Sequence, residues 1–134
     1  MFVVDTNVLV YAADADSPSH RRCRELVTGW RSQSTAWYLS WSICYEFLQA
    51  WSADQAWSFI EALMDSPSLG LLTATERHAQ VLAEVIHDIP HLNGNLWHDA
   101  HTAVLMREHG ISRIYTRDTD FHRFTFLDPI DPLN

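Results

Sequence analysis

The sequence has 134 residues, 47% of them apolar, with 9 basic against 17 acidic side chains for a formal net charge of −8. Its length suits one domain over 1–134 with a proper core. The acid excess excludes a broad basic face for nucleic acid, because sequence-independent attraction to phosphate comes from surplus Lys and Arg.

From the N-terminus, Phe2-Val3-Val4 reads as a short buried strand. Asp5-Thr6-Asn7 breaks it, and Val8 to Ala13 resumes as a helix. Ser17-Pro18 has an N-cap residue and a first-turn proline, so a second helix is predicted from about Pro18 to Arg31. Ala36–Trp41 is short and aromatic enough for a strand, and Ser42–Trp51 and Ala53–Asp65 carry helical spacing up to Pro67. Leu69–Thr73 reads as a strand, and Thr75-Glu76 opens a helix with Val81, Leu82, Val85 and Ile86. Loop chemistry at 90–95 precedes a helix from Leu96 to His109, which Gly110 ends as a left-handed residue commonly does. Ile111–Tyr115 is the last clear strand, Thr116–Phe121 the turn after it, and the Asp-Pro pairs beyond argue for an edge or an irregular end.

Strands alternating with helices imply an α/β fold with a mainly parallel sheet covered on both faces. Ligands in such sheets gather at the carboxyl ends of the strands. Asp5 follows the first strand and Asp118 follows the last clear one by three residues, which brings both to one rim.

Helical angles add two more carboxylates. At about 100° per residue from Leu96, Ala100, Ala103 and Val104 form an apolar stripe and Asp99 borders it at about 300°. From Ile43, Glu46 falls at the same angle beside Phe47, Ala50 and Trp51. A half-buried carboxylate costs several kcal/mol unless it is paired, protonated or bound to a cation. Any one of these four fits a solvated border or a cap; together they suggest a Mg²⁺ or Mn²⁺ site, since oxygen ligands suit these hard ions and phosphate oxygens fill their open positions. Such an ion activates water for phosphodiester cleavage.

Four stretches carry a resemblance: Val3-Val4-Asp5-Thr6-Asn7, Glu46 within Ser42–Leu48, Trp97-His98-Asp99-Ala100, and Tyr115-Thr116-Arg117-Asp118-Thr119-Asp120-Phe121. In order and over nearly the whole chain, the sequence resembles the PIN domain, and more narrowly a VapC-type toxin of a bacterial toxin–antitoxin pair. The resemblance implies a three-layer α/β/α sandwich and a Mg²⁺- or Mn²⁺-dependent endoribonuclease. It further implies an RNA substrate, a small cognate antitoxin in a heteromeric complex, and a homodimer. By motif, Asp5, Glu46, Asp99 and Asp118 correspond to the acidic quartet, with Asp5 and Asp99 as leading metal ligands. Thr6, Asn7 and Thr116 would be accessory, and Asp120 could share the fourth acidic role with Asp118.

Other residues carry weaker expectations. Trp97, His98 and Arg117 are candidate RNA contacts, while Trp51 and Trp57 read as core or interface. The Arg21-Arg22-Arg24 cluster reads as a solvated face that could steer RNA or meet an acidic antitoxin segment. His98 and His101 around Asp99 raise a rival, a His-Asp metal phosphohydrolase, which would need a helical bundle and further histidines. A non-catalytic PIN-like binding module is a third reading. Cys23 and Cys44 form no CxxC pair, and no signal peptide or apolar span is visible, so reduced thiols in a cytoplasmic protein are expected and no membrane contact.

Overall fold

Three apolar residues, Phe2–Val4, form strand β1, fully buried because strands pair with it on both edges. The computed structural model describes every residue from Met1 to Asn134. Around β1 lie β2 (Trp37–Ser40), β3 (Leu69–Leu72), β4 (Arg113–Tyr115) and β5 (Asp128–Ile130), in the order β3-β2-β1-β4-β5. Every pairing is parallel, so the mostly parallel sheet expected is wholly so. Pro129 lies in β5, at an edge, where its missing N–H costs no ladder bond.

Chain direction explains the layers. The chain steps outward from β1 to β2 to β3 through α1 (Thr6–Ala13), α2 (His20–Ser32), α3 (Trp41–Leu48) and α4 (Ala53–Met64). It then jumps to the other side of β1 through α5 (His78–Asp88) and α6 (Leu96–Glu108). Right-handed crossovers running in opposite directions put their helices on opposite faces, which yields the α/β/α sandwich. The reversal point lies between β1 and β4, where such sheets open a crevice at their carboxyl ends.

Several boundaries differ from the sequence pattern, each for a local reason. Helix α2 begins at His20 because Ser17 closes a turn first, its Oγ accepting from Ser19 N at 3.1 Å. Helix α3 starts at Trp41, capped by Ser40 Oγ on Ile43 N at 3.2 Å, and ends at Leu48, short of Trp51. Helix α5 waits until His78 because Glu108 holds the preceding turn: its Oε1 accepts from Thr75 N at 2.8 Å and Thr75 Oγ1 at 2.6 Å. Gly110 has φ +69°, the left-handed residue expected after α6.

The core contains Val3, Val4, Leu9, Trp37, Phe47, Ile60, Met106 and Ile114. Cys23 and Cys44 are buried and unbridged, and burial pushes the Cys44 thiol up to about 11. Of the two tryptophans expected in core or interface, Trp57 is exposed and so not in the core, and Trp51, beyond the end of α3, packs partly against the core.

Candidate metal centre

Strand register builds the floor of the site. Val4 pairs with Tyr115, so Asp5 and Thr116 leave β1 and β4 side by side, and Asp5 N donates to Tyr115 O at 3.0 Å. Both residues are buried. Thr116 Oγ1 donates to Asp5 Oδ2 at 2.7 Å, and Asn7 Nδ2 donates to the same oxygen at 2.9 Å. Asp5 Oδ1 accepts from Thr6 N at 2.8 Å, so the carboxylate also caps α1. Thr116 Oγ1 in turn accepts from Asp118 N at 2.9 Å, which orients the start of the next turn. Asp118 Oδ1 accepts from Asp120 N at 2.9 Å and opens the short 3-10 helix Thr119–Arg123.

Two helices supply the walls. From α3, Glu46 Oε2 accepts from Thr6 Oγ1 at 3.1 Å. From α6, on the opposite face of the sheet, Asp99 extends with no hydrogen bond or ion pair inside the chain. Asp5, Glu46, Asp99, Asp118 and Asp120 all line one cleft of about 670 Å³, and no arginine lines it. A smaller recess continues from Asp5, Glu46, Asp99 and Asp118 toward Thr6, Asn7, Val10 and Tyr11.

The electrostatics follow from this crowding. Burial is the main cause that raises Asp99 to about 7, and Asp118, Asp5, Asp120 and Glu46 add repulsion. Burial also raises Asp5, to about 6, against the lowering effect of its bonds from Thr116 and Thr6. Like charges gathered in a partly dry cleft favour protons or cations.

A divalent metal fits what is present. Carboxylate oxygens of Asp99, Asp118 and Asp120 lie within 4.8 Å of one another. Opposed ligands of a Mg²⁺ octahedron stand about 4.2 Å apart, so modest side-chain adjustment closes the set. All donors are hard oxygens, and Asp99 has no other partner to satisfy it.

The sequence candidates divide as follows. The cleft gathers all four of the acidic quartet together with Asp120 and His98. Thr6, Asn7 and Thr116 brace the carboxylates rather than line the main cleft. Glu46 is solvent-exposed and not half-buried, because it lies on the stripe of α3 that lines the open cleft. Arg117, the candidate phosphate contact, pairs through its Nε with Asp131 at 3.3 Å and lies outside the cleft lining. Trp97 is exposed but likewise outside the lining residues, since on α6 it is turned about 200° from Asp99. His101 packs edge-on against His78, with ring centres 6.0 Å apart, so no His pair flanks Asp99 in the cleft. Sequence reasoning passed over Ser42, Tyr45, Gln49, Asn95 and Thr102 of the lining; their signal is the i, i+3, i+4, i+7 spacing shared with Glu46 and with Asp99.

The family model for the PIN domain matches residues 2–127. This chain belongs to the PIN-domain family. Among its relatives, Ribonuclease VapC37 of Mycobacterium tuberculosis is 30% identical over 134 residues, covering 92% of each chain. Among solved folds, the sarcin-ricin loop cleaving toxin VapC20 of M. tuberculosis superposes with a TM-score of 0.68 at 20% identity, covering 95% of this chain and 97% of that one. VapBC2 of Rickettsia felis, bound to a fragment of promoter DNA, gives a TM-score of 0.68 at 16% identity over 96% of each chain. The α/β/α sandwich expected from the sequence is thus the PIN fold, and the acidic cleft lies within the matched residues.

Proposed function

We propose that this PIN domain is a Mg²⁺- or Mn²⁺-dependent endoribonuclease, the toxin of a toxin–antitoxin pair, hydrolysing RNA phosphodiester bonds in the cytoplasm. The observation that carries this reading is the convergence of five carboxylates in one cleft, of which only Asp120 has an arginine beside it, Arg123 at 3.8 Å from outside the lining. Its VapC relatives are named ribonucleases, and VapC20 is a sarcin-ricin loop cleaving toxin. No helix is long and apolar enough to cross a membrane. The VapBC2 assembly supports an antitoxin as partner in a heteromeric complex.

Asp99, Asp118 and Asp120 would hold the ion, with Asp5 beneath them and Glu46 at the side. When bound, the ion supplies charge neutralisation for the phosphate and activation of water. The chain's own residues prepare the place for it. Thr116 and Asn7 fix the Asp5 carboxylate from one side and Thr6 N fixes it from the other, so it is set before substrate arrives. Thr6 Oγ1 turns Glu46 toward the cleft. Pre-set carboxylates avoid reorganisation during the reaction, which is where electrostatic catalysis gains most.

The rival His-Asp phosphohydrolase lacks both its helical bundle and its second histidine at the cleft. A non-catalytic module has no use for five carboxylates crowded into one cleft. The test is to incubate total RNA with the purified protein in Mg²⁺ or Mn²⁺ and in EDTA, and to map the cleavage ends. Discrete ends that require the divalent ion are expected; equal cleavage in EDTA, or none with either ion, overturns the proposal.

A further inference from the structure

Beyond the carboxylates, the cleft has a second chemical character. Helix α3 and its C-cap present Ser42, Tyr45, Glu46 and Gln49 to it, and the N-cap and first turns of α6 present Asn95, His98, Asp99 and Thr102. Each set follows the i, i+3, i+4, i+7 spacing of one helical stripe, so two helix faces oppose each other across the opening. Glu46 and Asp99 lie within these stripes, whereas Tyr45, Gln49, Asn95 and His98 bring uncharged hydrogen-bonding or aromatic groups.

Those four side chains differ from the floor beneath them. Thr6, Asn7, Thr116 and Asp118 are tied into one hydrogen-bond network. Tyr45, Gln49, Asn95 and His98 make no side-chain hydrogen bond within the chain. Tyr45 leaves 66% of its surface exposed, the largest value among the exposed large hydrophobic side chains. The cleft volume of about 670 Å³ falls within the range of sites that enclose a small organic group.

We propose that Tyr45, Gln49 and Asn95 form a nucleobase subsite beside the acidic centre. Tyr45 stacks on an unpaired base, and the two amides read its edge. This deepens the ribonuclease reading and rests on it. The reason is charge: with net −8 and no cation lining the cleft, general attraction to the phosphate backbone is weak. Binding must then draw on contacts that carry no charge. An aromatic face accepts any base, side-chain amides present paired donors and acceptors to base edges, and both need the base unstacked. The subsite therefore selects single-stranded or looped RNA over duplex. Glu46, beside Tyr45 in the chain and lining the same cleft, is tied to Thr6 of the floor, so a base held there leaves its phosphate near the carboxylates.

The test uses fluorescein-labelled RNA hairpins whose loops carry each of the four bases, or an abasic residue, at one position next to the mapped cleavage site. Cleavage is read as kcat and KM in Mn²⁺, and binding as anisotropy in Ca²⁺, for wild type, Tyr45→Phe, Tyr45→Ala and Gln49→Leu. Tyr45→Ala is expected to raise KM roughly tenfold on intact loops, the effect of losing one stacked base, with kcat little changed. It should have no further effect on the abasic loop, and Tyr45→Phe should behave as wild type. Gln49→Leu should flatten the preference among the four bases. Equal behaviour of intact and abasic loops with wild type, or a Tyr45→Ala loss that is the same on both, overturns the subsite. Base-dependent binding without cleavage would overturn the ribonuclease reading and leave the subsite standing; cleavage without base dependence would do the reverse.

Discussion

Asp99 holds no partner inside the chain, while its neighbours are bonded on several sides. Burial and four nearby carboxylates raise it to about 7, so in metal-free protein its charge is a cost to folding at neutral pH. Asp99→Asn removes that charge and keeps the shape. Without metal at pH 8 the variant should melt above wild type, about 4 °C higher for each kcal/mol recovered. Melting below wild type would mean that Asp99 supports the fold instead. Thr116→Val tests the network differently, by deleting the hydroxyl that Asp5 and Asp118 N share. Loss of such a supporting partner typically costs 10- to 100-fold in metal affinity. Calorimetric Mn²⁺ titration should show a loss of about that size in a folded variant; unchanged affinity would make Thr116 a merely structural residue.

At the scale of elements, α6 does more than deliver Asp99. Its far end buries Glu108, whose side chain is fully enclosed and meets Thr75 and the His78 ring, the latter at 2.6 Å. Burial pushes this carboxyl up, but the bonds from Thr75 and His78 outweigh it and the net displacement is downward. The residue fixes the α5 start against α6, and through α6 the height of Asp99. Glu108→Ala leaves Thr75 and His78 unpaired and should cost about 2–4 kcal/mol in urea unfolding. A change below 0.5 kcal/mol, the ordinary range for surface substitutions, would contradict this role. None of this was visible in the sequence, because Glu108 is separated by 30 and 33 residues from its partners and sits on a helix whose second half is buried nearly all round. By contrast, the Asp99 side of α6 was readable, because one turn of apolar spacing places it. Glu46 was found by the same arithmetic, but its exposure was misjudged, since angle along one helix says nothing about the open cleft that its border faces. The pairing of Arg117 with Asp131 was not legible, because only the folded tail brings Asp131 to it.

Five of the 17 acidic residues gather at one rim of the molecule. Parallel strands of alternating βα pattern were legible, and with them the site's location, because Asp5 and Asp118 follow strands that register makes adjacent. Which arginines stay away from the cleft was not legible, since that depends on all the elements at once. The collected charge also sets a pH response. Asp5 and Asp99 have folded values near 6 and 7, above the 3.8 of an ordinary Asp, so the folded state holds protons that the unfolded state releases. Their contribution to stability is full below about pH 4 and is lost as pH rises to about 7. Glu108 acts in the opposite sense, its contribution falling away in acid. Metal-free protein should therefore melt highest near pH 5 and lower at pH 8, and Mn²⁺ should close that gap. A melting temperature that rises from pH 5 to pH 8 without metal would refute the crowding of charge at the rim.

The central claim is that these carboxylates bind a divalent ion and cleave RNA as one unit, and Asp99→Asn tests it most directly. Mn²⁺ binding and RNA cleavage would be measured on the same folded preparation beside wild type. The account predicts that both are lost together while the circular dichroism spectrum is unchanged. A well-folded Asp99→Asn protein that cleaves RNA at the wild-type rate would contradict it.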